Sequence, residues 1–266
     1  MRILICNDDG HHSPELHALE RAARAFSDDV WTVAPEIKRS SMGHSLSLHD
    51  DFSMTRLDAR RYACSGTPAD GVIAALAWLF KDTAPPALVL AGINDGRNIG
   101  EDIAYSGTMA IAREASFWGI AAAAFSAEKN IDFESPATRD WLARMVRTLG
   151  ENQSIWHKPD HWLSINLPAT VPAPIRHAVP GRAKIAAVIE AVVEPDGGHA
   201  GVTKLRYSGG RHVQAAADDE LSRLELGNGT IYRLCWNDSA MVEDSLLDLI
   251  NLPFANTSPH HDRSQG

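Results

Sequence analysis

The feature that most constrains the fold is a short apolar run that leads into an acidic turn. Ile3-Leu4-Ile5-Cys6 is followed directly by Asn7-Asp8-Asp9-Gly10. The run predicts a buried strand, and the glycine gives the backbone the freedom that a tight turn needs. Ligands of open α/β sheets bind at the carboxyl ends of strands, which is where this turn places two adjacent carboxylates. A bound cation would hold these like charges together, and an acidic surface turn is the alternative.

Strand and helix signals alternate over residues 1–168. Ser13 precedes Pro14 and a helical apolar face, and Thr67-Pro68-Ala69-Asp70 is a second capped helix start. Further strands are predicted at 30–34, 87–91, 121–125 and 162–168, and further helices from Ser106 to about Trp118 and from near Pro136. This alternation predicts an α/β catalytic core with a doubly wound, mostly parallel sheet and helices on both faces.

The sequence changes character after Pro168. Residues 169–255 are predicted to form a β-rich extension and a C-terminal helical arm, with hairpin signals at 195–198 and 208–210 and an amphipathic helix at 239–250. Because neither a hairpin nor such a helix can bury its apolar side alone, we expect a homodimer or homotetramer; the alternative is that both segments fold back onto their own α/β core. The polar stretch 256–266 is predicted to be a disordered tail.

Composition excludes several classes of protein. The net charge of −9 argues against binding of a nucleic-acid duplex, because no basic face is available to replace phosphate counterions. The cysteines Cys6, Cys64 and Cys235 are too few and too widely spaced to indicate a disulfide framework or a zinc site. No stretch resembles a signal peptide or a membrane span, so we expect a cytoplasmic protein without a membrane partner.

Loops that follow neighbouring strands of a doubly wound sheet meet at one edge. Here those loops offer Asp8 and Asp9, the stretch Arg39-Ser40-Ser41-Met42-Gly43-His44-Ser45, and Asn94. Together they supply two carboxylates, a hydroxyl and an amide oxygen. An all-oxygen set of this kind suits hard divalent cations such as Mg²⁺, Mn²⁺ or Ca²⁺.

Two further sequence features are candidates for binding an anionic substrate. The helix start Ser106-Gly107-Thr108 offers free N–H groups to an anion, or is an ordinary capped helix start. His44 shares a loop with the candidate hydroxyl and is a candidate for contact with a phosphate or a leaving group. No Gly-x-Gly-x-x-Gly follows the first strand and no P-loop lysine motif occurs, which disfavours a nicotinamide or P-loop nucleotide site.

Four motifs follow one another in the first part of the chain. They are the opening Met1-Arg2-Ile3-Leu4 to Asn7-Asp8-Asp9-Gly10, the stretch from Ala34-Pro35 through Arg39-Ser40 to Leu48, the helix start Gly66-Thr67-Pro68-Ala69-Asp70, and Ala91-Gly92-Ile93-Asn94-Asp95-Gly96-Arg97-Asn98-Ile99-Gly100 continuing to Ser106-Gly107-Thr108. In this order the motifs resemble the SurE (survival protein E) family of metal-dependent nucleotidases. They lie within about the first 125 residues, and the resemblance is weaker downstream.

The resemblance implies a phosphoric monoester hydrolase. Members of the family hydrolyse nucleoside monophosphates at the 5′ or the 3′ position, and some cleave short polyphosphate. It implies one divalent cation per subunit, Mg²⁺ or Mn²⁺, held by Asp8, Asp9, Ser40 and Asn94, with Asp8 or Asp9 acting on the attacking water. It further implies a phosphate pocket that includes Gly43, Asn98, Ser106, Gly107 and Thr108. The alternative function is a non-catalytic sensor of the same fold that binds a nucleotide or a metal.

Overall fold

The computed structural model describes residues 1–192, 202–214, 216–237 and 246. The strands are β1 (Ile3–Cys6), β2 (Val30–Pro35), β3 (Met54–Arg56), β4 (Arg61–Cys64), β5 (Leu88–Asp95), β6 (Ala121–Ala127), β7 (His161–Leu167), β8 (Ile175–His177), β9 (Arg182–Ala191), β10 (Leu205–Gln214) and β11 (Gly229–Cys235). The helices are α1 (Pro14–Arg24), α2 (Pro68–Ala74), α3 (Asp102–Tyr105), α4 (Gly107–Phe117), α5 (Pro136–Glu151), α6 (Gln153–Trp156) and α7 (Glu220–Glu225). Apart from residue 246, the predicted helix 239–250, the hairpin signal at 195–198 and the tail 256–266 lie outside the described residues.

Nine strands form one sheet in the order β3-β4-β2-β1-β5-β6-β7-β11-β8. Strand β1 lies parallel to both β2 and β5, and the parallel pairing continues through β6 and β7. The antiparallel pairs are β3 with β4 and β7 with β11. The doubly wound, mostly parallel prediction is therefore confirmed. Strands β8 and β11 lie in this sheet, so part of the segment predicted as an extension belongs to the central sheet.

Helices cover both faces of the sheet because side chains alternate along each central strand. In β1, Ile3 and Ile5 pack into a core with helices α1 and α5. Leu4 and Cys6 point the other way, into a core with α2 and α4. The first strand is buried on both sides, which explains why it reads as a continuous apolar run in the sequence.

The predicted helix starts are confirmed by their caps. The Ser13 hydroxyl accepts a hydrogen bond from the Leu16 N–H at the start of α1. Thr67 and Asp70 form a reciprocal capping box at the start of α2. Helix α2 differs from the predicted helix at its far end, where residues Ala75–Leu79 form a π-helical turn and the Phe80 N–H bonds to the carbonyl of Ala75. The predicted helix therefore continues with wider hydrogen bonding.

Strands β9 and β10 pair antiparallel as a separate two-stranded ribbon. The sequence Ser208-Gly209-Gly210 was expected to separate two strands, but it lies inside β10, where the register shifts on both sides of Gly209. The backbone φ is +93° at Gly209 and +90° at Gly210. Glycine serves a β-bulge for the same reason that it serves a turn, because both use positive φ. The glycine pair therefore correctly predicted positive φ at this position, but it marks a bulge within one strand and not a turn between two strands.

Candidate active site

A cavity of about 880 Å³ opens beside the carboxyl ends of β1 and β5. Asp8 and Asp9 follow β1, Asn94 lies near the end of β5, and Ser106 precedes α4. All four residues line the cavity, and Ser40 from the loop after β2 lines it too. The structure thus brings the four predicted metal ligands and the predicted anion-binding helix start to one place.

The hydroxyl of Thr108 links two of the predicted ligands. It donates to Asp8 Oδ1 at 2.5 Å and lies 3.4 Å from Asn94 Oδ1. The Asn94 side-chain nitrogen donates to the carbonyl of Gly96, which turns the amide oxygen toward Thr108. A hydroxyl has one proton, so it can satisfy only one of these two acceptors at a time. The side-chain oxygens of Asp8 and Asn94 therefore both lie close to the Thr108 hydroxyl, and one of them is left without its hydrogen bond.

The two carboxylates differ in their surroundings. Burial raises the pKa of Asp8 to about 6; the hydrogen bond from Thr108 opposes this rise and the negative charge of Asp9 adds to it. Asp9 is held by two donors, the Lys38 ammonium 2.5 Å from Oδ1 and the Asp95 N–H 3.0 Å from Oδ2. Its hydrogen bond to Asp9 raises the pKa of Lys38. A side-chain cation thus already lies against one of the predicted metal ligands.

The start of α4 is pressed against Asp8. A Cβ atom on Gly107 would lie 2.8 Å from both Cβ and Oδ2 of Asp8, so only glycine permits this approach. The Ser106 hydroxyl accepts from the Met109 N–H at 3.1 Å. The N–H groups of Gly107 and Thr108 have no acceptor within the helix, because they belong to its first turn. An anion bound to these two groups would lie beside Asp8, where a cation held by that carboxylate could contact both.

The loop that carries Asn98 is fixed by a buried amide from a distant strand. Asn166 on β7 accepts from the Asn98 N–H at 2.9 Å and donates to the Asn98 carbonyl at 3.1 Å. The Asn98 side chain donates in turn to the Ser126 hydroxyl at 2.8 Å. Asn98 lines the cavity as part of this network. The sequence pointed to Asn98, but it gave no signal for Asn166 or Ser126 because their contacts form only in the sheet.

Of the predicted phosphate-pocket residues, Asn98 and Ser106 line the cavity, whereas Gly43, His44, Gly107 and Thr108 do not. The His44 ring nitrogen Nε2 is 2.8 Å from a carboxylate oxygen of Glu114, and the ring stacks on Phe117. The Gly43 N–H donates to the carbonyl of Tyr105. The buried carboxylate of Glu114 on α4 engages the imidazole, and the contact of His44 with phosphate stays a prediction.

The lining side chains carry balanced charge. The acidic ones are Asp8, Asp9, Asp95 and Asp102, and the basic ones are Lys38, Arg97, Lys184 and Arg211. The sequence did not predict that most of the charged groups outside the acidic turn belong to this site, because they come from separate segments and no local motif identifies them. A phosphate dianion that enters this neutral lining needs additional positive charge.

The residues present fit a divalent cation. Within the described part of the chain, no group of three or more His, Cys, Asp or Glu side chains could hold a metal ion. A cation in this site would therefore be coordinated by neutral oxygen atoms as well as by the carboxylates of Asp8 and Asp9. Asn94 and Ser40 supply oxygens of that kind at the cavity, and hard cations such as Mg²⁺ and Mn²⁺ accept mixed carboxylate, amide and hydroxyl ligands.

Comparison with known proteins agrees with this geometry. The family model described as survival protein SurE matches residues 3–188. The chain belongs to the SurE family. A relative named 5′-nucleotidase SurE from Rhizorhabdus wittichii is 43% identical over 179 residues, which cover 65% of this chain and 68% of the relative. A second, from Methylorubrum extorquens, is 50% identical over 126 residues, and this match spans about half of each protein, 47% of this chain and 49% of the relative.

The fold of SurE proteins extends over most of the chain. The crystal structure of SurE protein from Aquifex aeolicus aligns with a TM-score of 0.72 at 27% sequence identity, covering 94% of this chain and 98% of that one. The predicted family and the α/β fold are therefore confirmed. The predicted enzyme class agrees with the names of the SurE relatives, and nothing in these comparisons favours the non-catalytic alternative.

Proposed function

We propose that this protein is a metal-dependent phosphomonoesterase that converts nucleoside monophosphates into nucleoside and inorganic phosphate. The observation that carries the proposal is the contact of α4 with Asp8. Gly107 lets the helix start reach that carboxylate, and Thr108 joins it to Asn94. A phosphate on the helix start and a cation on the oxygen ligands would then be neighbours. The names of the SurE relatives support the nucleotidase activity.

Asp8, Asp9, Ser40 and Asn94 would hold the cation, Mg²⁺ or Mn²⁺, one per subunit. When bound, the cation supplies Lewis acidity toward a phosphoryl oxygen and lowers the pKa of water. The N–H groups of Gly107 and Thr108 bind the other phosphoryl oxygens and stabilise the charge that develops on them. Asp8 or Asp9 orients the attacking water and takes its proton.

Lys38 has a further task in this site. Its ammonium lies against Asp9, and it lines the same cavity as the helix start. A flexible cation at this place can neutralise a phosphate oxygen as readily as a carboxylate. We infer that Lys38 adds to the attraction of the anionic substrate, since the lining without a metal has no net charge of its own.

The decisive experiment measures phosphate release from a panel of 5′ and 3′ nucleoside monophosphates and tripolyphosphate. Activity is expected with Mg²⁺ or Mn²⁺ and is expected to vanish in excess chelator. Asp9→Asn should lose about 100-fold or more in kcat, because one charge of the ligand set is gone. Asp82→Asn, the same change at a largely exposed carboxylate far along the chain, is the control. A protein that binds nucleotide but releases no phosphate with any divalent cation would support the sensor alternative.

We also propose that the protein is a cytoplasmic homodimer or homotetramer. Among the described residues no helix has the length and apolarity needed to cross a bilayer. The β9–β10 ribbon exposes Val188 by 47% and Leu205 by 65%, and a two-stranded ribbon does not bury its apolar side chains alone. Light scattering at micromolar concentration is expected to give at least twice the mass of 28.9 kDa, and a fully active monomer would contradict this proposal.

A further inference from the structure

The cavity is much larger than a phosphate ion. Its volume of about 880 Å³ is near the upper end of the roughly 300–1,000 Å³ typical of small-molecule sites. Asp8, Asn94 and Ser106 occupy one part of its lining, and the β9–β10 ribbon supplies another part through Ile189 and Tyr207. The part lined by the ribbon is therefore available to the rest of the substrate.

Ile189 and Tyr207 form an apolar patch in this lining. They are direct partners across the antiparallel ladder, so their side chains lie on the same face of the ribbon. Tyr207 is 71% exposed and Ile189 is 54% exposed, and both line a cavity in which most of the other lining residues are polar or charged. Gly209 follows in the bulge, and a Cβ atom there would meet nothing within 4 Å. Most of the Tyr207 side chain is therefore left uncovered by the rest of the described chain.

The basic side chains of this region already have partners. Arg211 donates to Asp102 at 2.8 Å and to the carbonyl of Ala183 at 3.1 Å. The Lys184 ammonium contacts the hydroxyl of Tyr105 and lies 4.4 Å from the centre of its ring. A second phosphate would have to break these contacts to be bound here. A flat aromatic group, by contrast, could bind without breaking these contacts, because it would cover only the exposed face of the Tyr207 ring.

We propose that Tyr207 and Ile189 form the nucleobase subsite, in which the base stacks on the Tyr207 ring and Ile189 packs against its edge. This inference rests on the proposed function and adds to it the residues that distinguish a nucleotide from other phosphomonoesters. Stacking of a base on an aromatic side chain tolerates any base, because every base has a π face. The subsite therefore selects nucleotides as a class and does not choose among the bases.

The test compares two substrates that share a phosphomonoester and differ in the base. For AMP, Tyr207→Ala is expected to lower kcat/KM by about 5- to 150-fold, the range that loss of one stacked base corresponds to. The loss should lie in KM, because stacking is the same in the ground state and the transition state. For glycerol phosphate, which has no aromatic group, kcat/KM should change by less than about twofold.

Two matched variants complete the experiment. Tyr207→Trp should restore KM for AMP, since it keeps an aromatic face. Val213→Ala, on the same strand and outside the cavity lining, should leave both substrates unaffected. An equal loss for AMP and glycerol phosphate would overturn the proposal in favour of a structural role for Tyr207. No loss for AMP, or a parallel loss for tripolyphosphate, would overturn it as well.

Failure of the subsite is distinguishable from failure of the proposed function. If the wild-type protein releases no phosphate from any phosphomonoester, the nucleotidase proposal fails. Calorimetric binding of adenosine, which carries no phosphate, still tests the subsite. Wild-type protein should bind adenosine about 5- to 150-fold more tightly than Tyr207→Ala, and equal affinities would overturn the assignment.

Discussion

Replacing Gly107 by alanine tests the contact that defines the site. A Cβ atom at this position would lie 2.8 Å from Cβ and Oδ2 of Asp8. Carbon atoms in contact normally lie about 3.5–4.0 Å apart, so the helix start and the carboxylate must separate by about 1 Å. Displacement of a reacting group by about 1 Å can cost about 100-fold in rate. We therefore expect Gly107→Ala to lose about 100-fold in kcat/KM for AMP, together with weaker binding of Mn²⁺.

Stability should change little in comparison. Alanine gains up to about 1 kcal/mol over glycine in a helix, while overpacking costs about 1–3 kcal/mol, so the net loss is about 0–3 kcal/mol. Gly71→Ala on α2 is the matched control, because its Cβ would approach only Val33 Cγ1, at 3.3 Å, and Cys64 Cβ, at 3.9 Å. Calorimetry of Mn²⁺ binding and phosphate-release kinetics provide independent measurements. A Gly107→Ala enzyme within about threefold of wild type in both would refute the reasoning.

Three other predictions concern separate features. Asn166→Ala leaves the buried Asn98 N–H without its acceptor and should cost about 1–3 kcal/mol in urea unfolding; an unchanged midpoint would show that the network is not needed for stability. Burial raises the pKa of Cys64 to about 11, so in native protein near about pH 8 a thiol reagent should modify only the partly exposed Cys235, with every cysteine reacting in denaturant. His44→Gln should keep kcat/KM within about threefold, because the ring lies outside the cavity lining; a loss of about 100-fold would restore the expected phosphate contact.

The parts of the fold that were predictable have local causes. Strand β1 could be recognised because a strand buried on both faces is continuously apolar, and α1 could be recognised because Ser13 and Pro14 mark its start. The carboxylates after β1 lie at the carboxyl end of a parallel strand, so the topology alone assigns them to the site. For β1, α1 and the acidic turn, residues close in sequence determine both the local structure and its place in the fold.

The parts that were not predictable depend on contacts between distant segments. Asn166 lies within an apolar strand, and its two bonds to Asn98 span 68 positions. Lys184 and Arg211 lie in the ribbon, where the sequence offered only hairpin signals at 195–198 and 208–210, and a glycine pair indicates a bulge and a turn equally well. The orientation of His44 was not predictable either, since its loop reaches the site but its ring contacts Glu114, and its role toward phosphate stays a prediction.

The ion pair between Asp102 and Arg211 also bears on the order in which the site can be assembled. The two residues are 109 positions apart, and one precedes the anion-binding helix while the other lies in the ribbon. At about 5–20 residues per second, a ribosome needs about 5–20 s to travel between them. Strands β6 and β7 and helices α4 and α5 are made during that interval, so the sheet can begin to bury its apolar faces while α3 still lacks its partner. On the ribosome, a partly assembled sheet would thus precede the contact between α3 and the ribbon, and β11 joins the sheet only afterwards.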